Sequence, residues 1–230
     1  MDHDAIARRF LQARFAAADT ALLAGSTARG ERTASSDIDL LVIGPAAMFD
    51  AGEDSRAATY AFEGEVFEVF AYTPEAFARW AERDLAAHRP LLLNMLIEGR
   101  PVRSGSLLEP LRARWRAVRD AGPRVDPHEL DLRRYIVTDV LDDLRDAADP
   151  LERHVLAALL FDRLGQLLLL RHGRWIATGK HLPRGLRAWD PDRTARLADP
   201  LLAGDHTAFA VAAAAELELL GGRLQADFVR

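Results

Sequence analysis

A pair of carboxylates at the head of an apolar segment is the feature that most constrains this chain. Asp37 and Asp39 lie in the stretch AGSTARGERTASSDIDLLVIG, which covers residues 24–44. Residues two apart in a β-strand point to the same face, so both carboxylates would project together. Two anions on one face repel each other, and a divalent cation removes that repulsion. Hard oxygen ligands of this kind suit Mg²⁺, so the pair predicts a magnesium site.

A Gly-Ser pair lies upstream of the two acids, between an apolar segment and a polar one. Glycine lets the backbone approach a ligand closely, and free N–H groups with a serine hydroxyl at a helix start form an anion site. Gly25 and Ser26 therefore predict a phosphate-binding turn beside the carboxylate pair. A metal site beside a phosphate site is typical of enzymes that catalyse phosphoryl or nucleotidyl transfer.

A third acid is needed if two metal ions bind about 3.5–4 Å apart. The segment GEVFEVFAY offers Glu65 and Glu68, which fall on opposite faces of a strand. Glu65 follows Gly64 at the strand edge, where solvent alone could hydrate it. Glu68 stands in the middle of the strand and is the predicted third acid. It could bind the second metal ion, act as general base on an acceptor hydroxyl, or do both.

The motif GSTARGERTASSDIDLLV resembles the signature of the DNA polymerase β-type nucleotidyltransferase superfamily. Its form is similar to that of the minimal nucleotidyltransferases and the aminoglycoside nucleotidyltransferase branch, in which a helical domain follows. The specific part of the resemblance covers residues 25–39. The resemblance implies that Gly25 and Ser26 hold the triphosphate. It further implies that Asp37 and Asp39 hold the magnesium ions and that Glu68 is the third acid.

Three further residues are candidate contacts of the nucleotide phosphates. Arg29 and Ser36 belong to the same motif, and an ordinary surface arginine is the alternative interpretation of Arg29. Lys180 is the only lysine among 30 basic residues and follows a glycine in the polar loop RHGRWIATGKHLPRGL. A lysine serves well as a point charge for phosphates, so Lys180 could reach the triphosphate across an interdomain cleft.

The pattern of apolar residues predicts an α+β fold in two domains. Residues 1–105 are expected to form a nucleotidyltransferase catalytic domain, a small mixed sheet with flanking helices. We expect Ile38 to point into its core with Leu41 and Ile43. The predicted elements are a helix over about 3–18, strands at 21–25, 38–44, 56–62 and 65–72, and a helix over 74–87.

Strand signals end near residue 105, and residues 106–230 are expected to form an all-α bundle that binds substrate or a partner. Three long helices are predicted at 130–147, 151–172 and 206–228, with a bridge at 109–129.

Composition restricts the class of protein. The 49% hydrophobic content is ample for a core, and the net charge of −5 makes a general nucleic-acid surface unexpected. Without cysteine there is no disulfide and no thiolate metal site. The N-terminal segment lacks the pattern of a signal peptide, and the most apolar stretch is interrupted by charges, so we expect a cytoplasmic protein without a membrane role. A homodimer is left open.

These patterns together predict a magnesium-dependent transfer of a nucleoside monophosphate, with AMP from ATP as the expected case. The acceptor would be a hydroxyl of a small molecule, aminoglycoside-like compounds included, and pyrophosphate would leave. An acidic helical stripe of Asp139, Asp143 and Asp146 could face a cationic acceptor, although a solvated helix face is the commoner explanation. The alternatives are a regulatory enzyme that modifies a protein hydroxyl, as antitoxin members of the superfamily do, and a non-catalytic nucleotide-binding protein.

Overall fold

The computed structural model describes residues 2–33, 35–226 and 228–229, which form two compact units. The first unit ends at Ala121 and the second begins at Gly122. Two residues that the sequence patterns included, Ala34 of the motif and Asp227 of the third predicted long helix, lie outside the described residues.

The first unit is built on a five-stranded mixed sheet with the strand order β3-β4-β2-β1-β5. Only β2 and β4 are a parallel pair; the other neighbours are antiparallel. Its elements in chain order are α1 (His3–Arg14), β1 (Thr20–Leu23), α2 (Gly25–Arg29), β2 (Ile38–Ile43), β3 (Ser55–Phe62), β4 (Glu65–Tyr72), α3 (Pro74–Ala86), α4 (Leu91–Glu98), β5 (Arg100–Arg103) and α5 (Leu108–Asp120).

The predicted α+β fold class is confirmed, and the four predicted strands all form, although the first spans Thr20–Leu23 and Gly25 begins α2. The antiparallel hairpin of β3 and β4 turns at Glu63 and Gly64, both with positive φ. Helix α3 begins as predicted, because Thr73 accepts a hydrogen bond from the Ala76 N–H and Pro74 occupies the first turn. Helix α4 and strand β5 were not predicted, and α1 ends at Arg14 rather than near residue 18.

Both faces of the sheet are buried, and this corrects one expectation about β2. Ile38 packs with Leu40 and Val42 in a core on one face, which α1 covers. Leu41 and Ile43 belong to a second core on the opposite face, under α3, α4 and α5. The expectation that Ile38 shares a face with Leu41 and Ile43 is therefore wrong, because side chains an odd number of positions apart in a strand face opposite sides.

Helix α5 belongs to the first unit, although the sequence pattern treated its residues as a bridge. Leu108 and Trp115 of α5 are buried in the second core, where Trp115 contacts Phe77 edge-on at 6.1 Å between ring centroids. This packing explains why the division between the units follows Ala121, whereas the sequence placed the domain boundary after residue 105.

The second unit is a bundle of helices around a leucine-rich core. Its α-helices are α6 (Pro127–Asp146), α7 (Pro150–Arg171), α8 (Leu182–Trp189), α9 (Pro191–Leu202) and α10 (His206–Leu219). An Asp-Pro pair begins α6, α7 and α9: the aspartate accepts hydrogen bonds from N–H groups of the first turn, and proline suits the first helical position.

Two features of this bundle differ from the predicted helices. The helices α8 and α9 were not predicted, and α10 ends at Leu219 instead of running to residue 228. The end of α10 follows from Gly221 and Gly222, whose φ values of 107° and 76° are not helical. Among the described residues, no helix is both long and apolar enough to cross a membrane.

Candidate active site

The register of the two parallel strands brings the predicted acids together. Asp39 in β2 is paired directly with Glu68 in β4, so both side chains stand on the same face of the sheet. Asp37 precedes β2 by one residue. One carboxylate oxygen from each of Asp37, Asp39 and Glu68 lies within 4.8 Å of the others, and all three residues are half-buried. We call these three residues the acidic triad.

The triad is electrostatically unfavourable without a cation. Burial raises the pKa of Glu68, and the charges of Asp39 and Asp37 raise it further. A bound hard divalent cation would offset the repulsion between partly desolvated carboxylates this close together. The donor set, three half-buried carboxylates, therefore fits Mg²⁺, which binds through a few carboxylates and takes its other ligands from water and phosphate.

Gly25 is the point of closest approach between α2 and the triad. Its φ is 57°, and a β-carbon built on it would lie 1.8 Å from Oδ2 of Asp39. Two hydrogen bonds join the turn to β2 and the residue before it: the Ala24 N–H donates to the Asp39 carbonyl at 2.9 Å, and the Thr27 hydroxyl donates to the Asp37 carbonyl at 3.4 Å. Gly25 and Ser26 thus begin a short helix next to the acids, as the sequence predicted.

The other predicted phosphate contacts are distributed as follows. Arg29 is exposed and forms an ion pair with Glu31 at 3.0 Å. Ser36 is half-buried, and its hydroxyl accepts a hydrogen bond from the Thr33 N–H at 2.9 Å. Lys180 is exposed in a 3-10 turn of the second unit, Gly179–His181. The structure brings Gly25 and the triad together, and the roles of Arg29, Ser36 and Lys180 stay predictions.

An ion pair that sequence reasoning missed supports the segment in front of Asp37. Glu65 was treated as solvated, but its side chain is only 15% exposed and accepts a hydrogen bond from Arg32 at 2.8 Å. The same Arg32 nitrogen donates to the Ser36 carbonyl at 2.6 Å, and His3 lies 3.7 Å from Glu65. Arg32 therefore links Ser36, the residue before Asp37, to the start of β4 through two hydrogen bonds.

The acidic stripe of the second unit is exposed. Asp139, Asp143 and Asp146 all lie on the solvent side of α6, which agrees with a solvated helix face.

Most of the first unit is similar to a known protein family. Residues 6–95 match the family model described as a nucleotidyltransferase domain. No curated protein matches the sequence. The crystal structure of a nucleotidyltransferase-like protein from Exiguobacterium sibiricum 255-15 superposes with a TM-score of 0.49 at 17% identity, over 95% of this chain and 74% of that chain. The region matched by the family model contains Gly25, Ser26 and all three acids of the triad.

Proposed function

We propose that residues 6–95, which match the family model described as a nucleotidyltransferase domain, form such a domain of the DNA polymerase β-like superfamily, and that the protein transfers AMP from ATP to an acceptor hydroxyl. Pyrophosphate is the second product. The observation that carries this proposal is the acidic triad, whose oxygens lie within 4.8 Å of one another beside the turn at Gly25.

Asp37 and Asp39 are the proposed ligands of Mg²⁺, with Glu68 as third ligand, general base, or both. When bound, Mg²⁺ would neutralise the triphosphate and favour ionisation of the hydroxyl. Gly25 and Ser26 are proposed to hold the triphosphate, since free N–H groups and a hydroxyl at a helix start bind anions. Arg29, Ser36 and Lys180 are proposed as additional phosphate contacts.

In the proposed reaction the acceptor oxygen attacks the α-phosphorus. A new phosphoester bond forms, the bond from the α-phosphorus to the bridging oxygen of the β-phosphate breaks, and pyrophosphate leaves with that electron pair. The hydroxyl proton passes to a carboxylate oxygen of Glu68. The raised pKa of Glu68 favours this role, because a base accepts a proton more readily when its pKa is higher.

A small molecule is the proposed acceptor, with aminoglycoside-like compounds as the first class to assay, and the second unit is the proposed substrate-binding or interaction domain. A protein hydroxyl is the alternative acceptor. A non-catalytic nucleotide-binding role would be favoured if Glu68 pointed away from Asp37 and Asp39. The pairing of Asp39 with Glu68 between β2 and β4 supports the catalytic role instead.

The test is transfer of label from α-labelled ATP in the presence of Mg²⁺, with small-molecule and protein acceptors assayed together. Release of labelled pyrophosphate from γ-labelled ATP measures the second product of the same reaction. Glu68→Gln should reduce transfer by at least about 100-fold, the scale for loss of general acid–base catalysis. Asp39→Asn removes a proposed ligand of Mg²⁺ and should reduce transfer at least as strongly. Glu82→Gln, at an exposed position of α3, is the control for a lost carboxylate and should keep full activity.

The result also separates the three functions. Label on a small molecule supports the proposed acceptor, and label on a protein alone supports the regulatory alternative. Tight ATP binding without transfer to any acceptor supports the non-catalytic one. Full activity of Asp39→Asn would contradict all roles assigned to the triad.

A further inference from the structure

A cavity of about 240 Å³ lies in the first unit, outside the acidic triad. Strands β3 and β4 form its floor, and helices α3 and α4 contribute the rest of the lining. The lining includes the hydroxyl-bearing Ser55, three aromatic side chains and one carboxylate: Phe70, Tyr72, Trp80 and Asp84.

Strand register places this cavity on the same face of the sheet as the triad. Thr59 is paired with Glu68, and two residues further along the strands Ala57 is paired with Phe70. Ala57 and Phe70 both line the cavity. A strand rises about 3.3 Å per residue, so the cavity begins about 7 Å from Glu68 and reaches Tyr72 at about 13 Å.

Asp84 gives the cavity an anionic group in a poorly solvated position. One oxygen, Oδ2, accepts a hydrogen bond from the Leu92 N–H at 2.9 Å in the first turn of α4. Burial raises the pKa of Asp84 by more than the Leu92 N–H and the exposed Arg89 lower it. Burial together with the charge of Asp84 also raises the pKa of Tyr72 to about 12, which keeps the phenol neutral. A cation next to Asp84 would relieve this desolvation.

Trp80 gives the cavity an exposed aromatic wall. Its side chain is 40% exposed, which is unusual for so large an apolar group, and the Arg83 guanidinium lies 4.8 Å from the ring centroid. The other walls are mostly apolar. An aromatic, largely apolar pocket with one carboxylate suits a ligand that combines an apolar ring or chain with a protonated amine.

We infer that this cavity binds the amine-bearing end of the acceptor, a small molecule whose hydroxyl reaches the triad roughly 7–13 Å away. The ligand class is therefore an amino alcohol with an apolar ring or chain next to its amine. The identification of this ligand as the acceptor rests on the proposed function, whereas its binding to the cavity requires neither ATP nor a metal ion.

The test is isothermal titration calorimetry on the metal-free, nucleotide-free full chain with 2-phenylethylamine and 2-phenylethanol. These two probes share the ring and differ in the amine, so their ratio of dissociation constants measures recognition of the charge. The amine should bind about tenfold tighter, the scale for one hydrogen bond to a charged group. Asp84→Asn keeps an acceptor for the Leu92 N–H and should reduce the ratio to about twofold or less. Trp80→Ala should weaken both probes, and the control Glu82→Gln should change neither.

Several results would overturn the inference: equal binding of the two probes, an unchanged ratio in Asp84→Asn, or no binding of either probe up to about 10 mM. Displacement of 2-phenylethylamine by adenosine would assign the cavity to the nucleobase instead. Trp80→Ala keeps the inference testable if Asp84→Asn fails to fold. The calorimetry uses no nucleotide, so it is independent of the transfer assay. A failed transfer assay with an intact preference for the amine would reject only the proposed function. Successful transfer without a preference for the amine would reject only the inference about the cavity.

Discussion

A β-carbon at position 25 would lie 1.8 Å from Oδ2 of Asp39, so the glycine at this position and the placement of the triad are structurally linked. Gly25 also has a φ of 57°, in the left-handed region. The turn at Gly25 can therefore approach the acids only because this residue lacks a side chain. Position 25 thus carries two separable requirements, one conformational and one steric.

Gly25→Ala should abolish divalent metal binding at the triad, because the new methyl group must displace Asp39 or the turn. The left-handed conformation adds a stability cost of about 1–2 kcal/mol. Electron paramagnetic resonance of Mn²⁺ binding and denaturant unfolding measure the two effects. Gly30→Ala is the matched control: φ is 72° there, and nothing lies within 4 Å of an added β-carbon. It should show a similar stability loss with unchanged Mn²⁺ affinity, and equal affinities in both variants would contradict the steric role of Gly25.

Alternation along the strands predicted that Asp37 and Asp39 share a face and that Glu68 stands in the middle of its strand. That these acids meet depends on the parallel pairing of β2 and β4, which alternation does not show. The predicted hairpin of β3 and β4 also rests on alternation. The misplacement of Ile38 was not a limit of the sequence, because alternation alone puts Ile38 on the face opposite Leu41 and Ile43, and both faces of β2 are buried.

Interactions between distant segments were beyond sequence reasoning. Arg32 and Glu65 are 33 residues apart and pair only because the sheet brings their segments together. The cavity beside Trp80 likewise depends on how α3 and α4 pack against β4. Helix α4 was missed because its apolar run is short, and strand β5 because a proline interrupts it.

Glu68→Gln should stabilise the metal-free protein near pH 7. A carboxyl whose pKa is raised in the folded state, as that of Glu68 is, lowers stability where it is ionised. The penalty is absent below the pKa of the unfolded state and develops as the pH rises through the folded pKa. Removing a charge directly opposite Asp39 should therefore add about 0.2–1 kcal/mol. Denaturant unfolding of wild type and variant between pH 4 and pH 8, on the order of one curve per pH unit, measures this difference.

The same raised pKa predicts competition between protons and metal at Glu68. Mn²⁺ affinity of the wild type should fall as the pH decreases through the raised pKa of Glu68, at a higher pH than the ordinary glutamate value of about 4.3. Glu82→Gln should reproduce the wild-type profile, being an exposed carboxylate outside the triad. A Glu68→Gln variant without any gain in metal-free stability near pH 7 would argue against repulsion within the triad.

Arg32→Ala should weaken Mn²⁺ binding by about 3–10-fold, because Arg32 fastens the Ser36 carbonyl, directly before Asp37, to Glu65. The expected loss of stability is about 1–3 kcal/mol. Arg9→Ala is the control, since the Arg9–Glu63 ion pair is more exposed, at 53% and 39% for the two side chains. That variant should lose less stability than Arg32→Ala and keep its Mn²⁺ affinity. If Arg32→Ala binds Mn²⁺ as tightly as wild type, Arg32 is only a structural residue.

Glu216→Ala should destabilise the helical unit by about 3 kcal/mol, because it leaves Arg193 buried without its carboxylate. The Arg193 Nε lies 2.7 Å from Glu216 between α9 and α10, and the two side chains are 14% and 8% exposed. Denaturant unfolding followed by circular dichroism measures the change. Glu218→Ala, at an exposed position of the same helix, should change stability by about 0.5 kcal/mol or less. Replacing both partners by methionine should cost less than Glu216→Ala alone, since no uncompensated charge is then buried; a larger cost would mean that the ion pair itself stabilises the bundle.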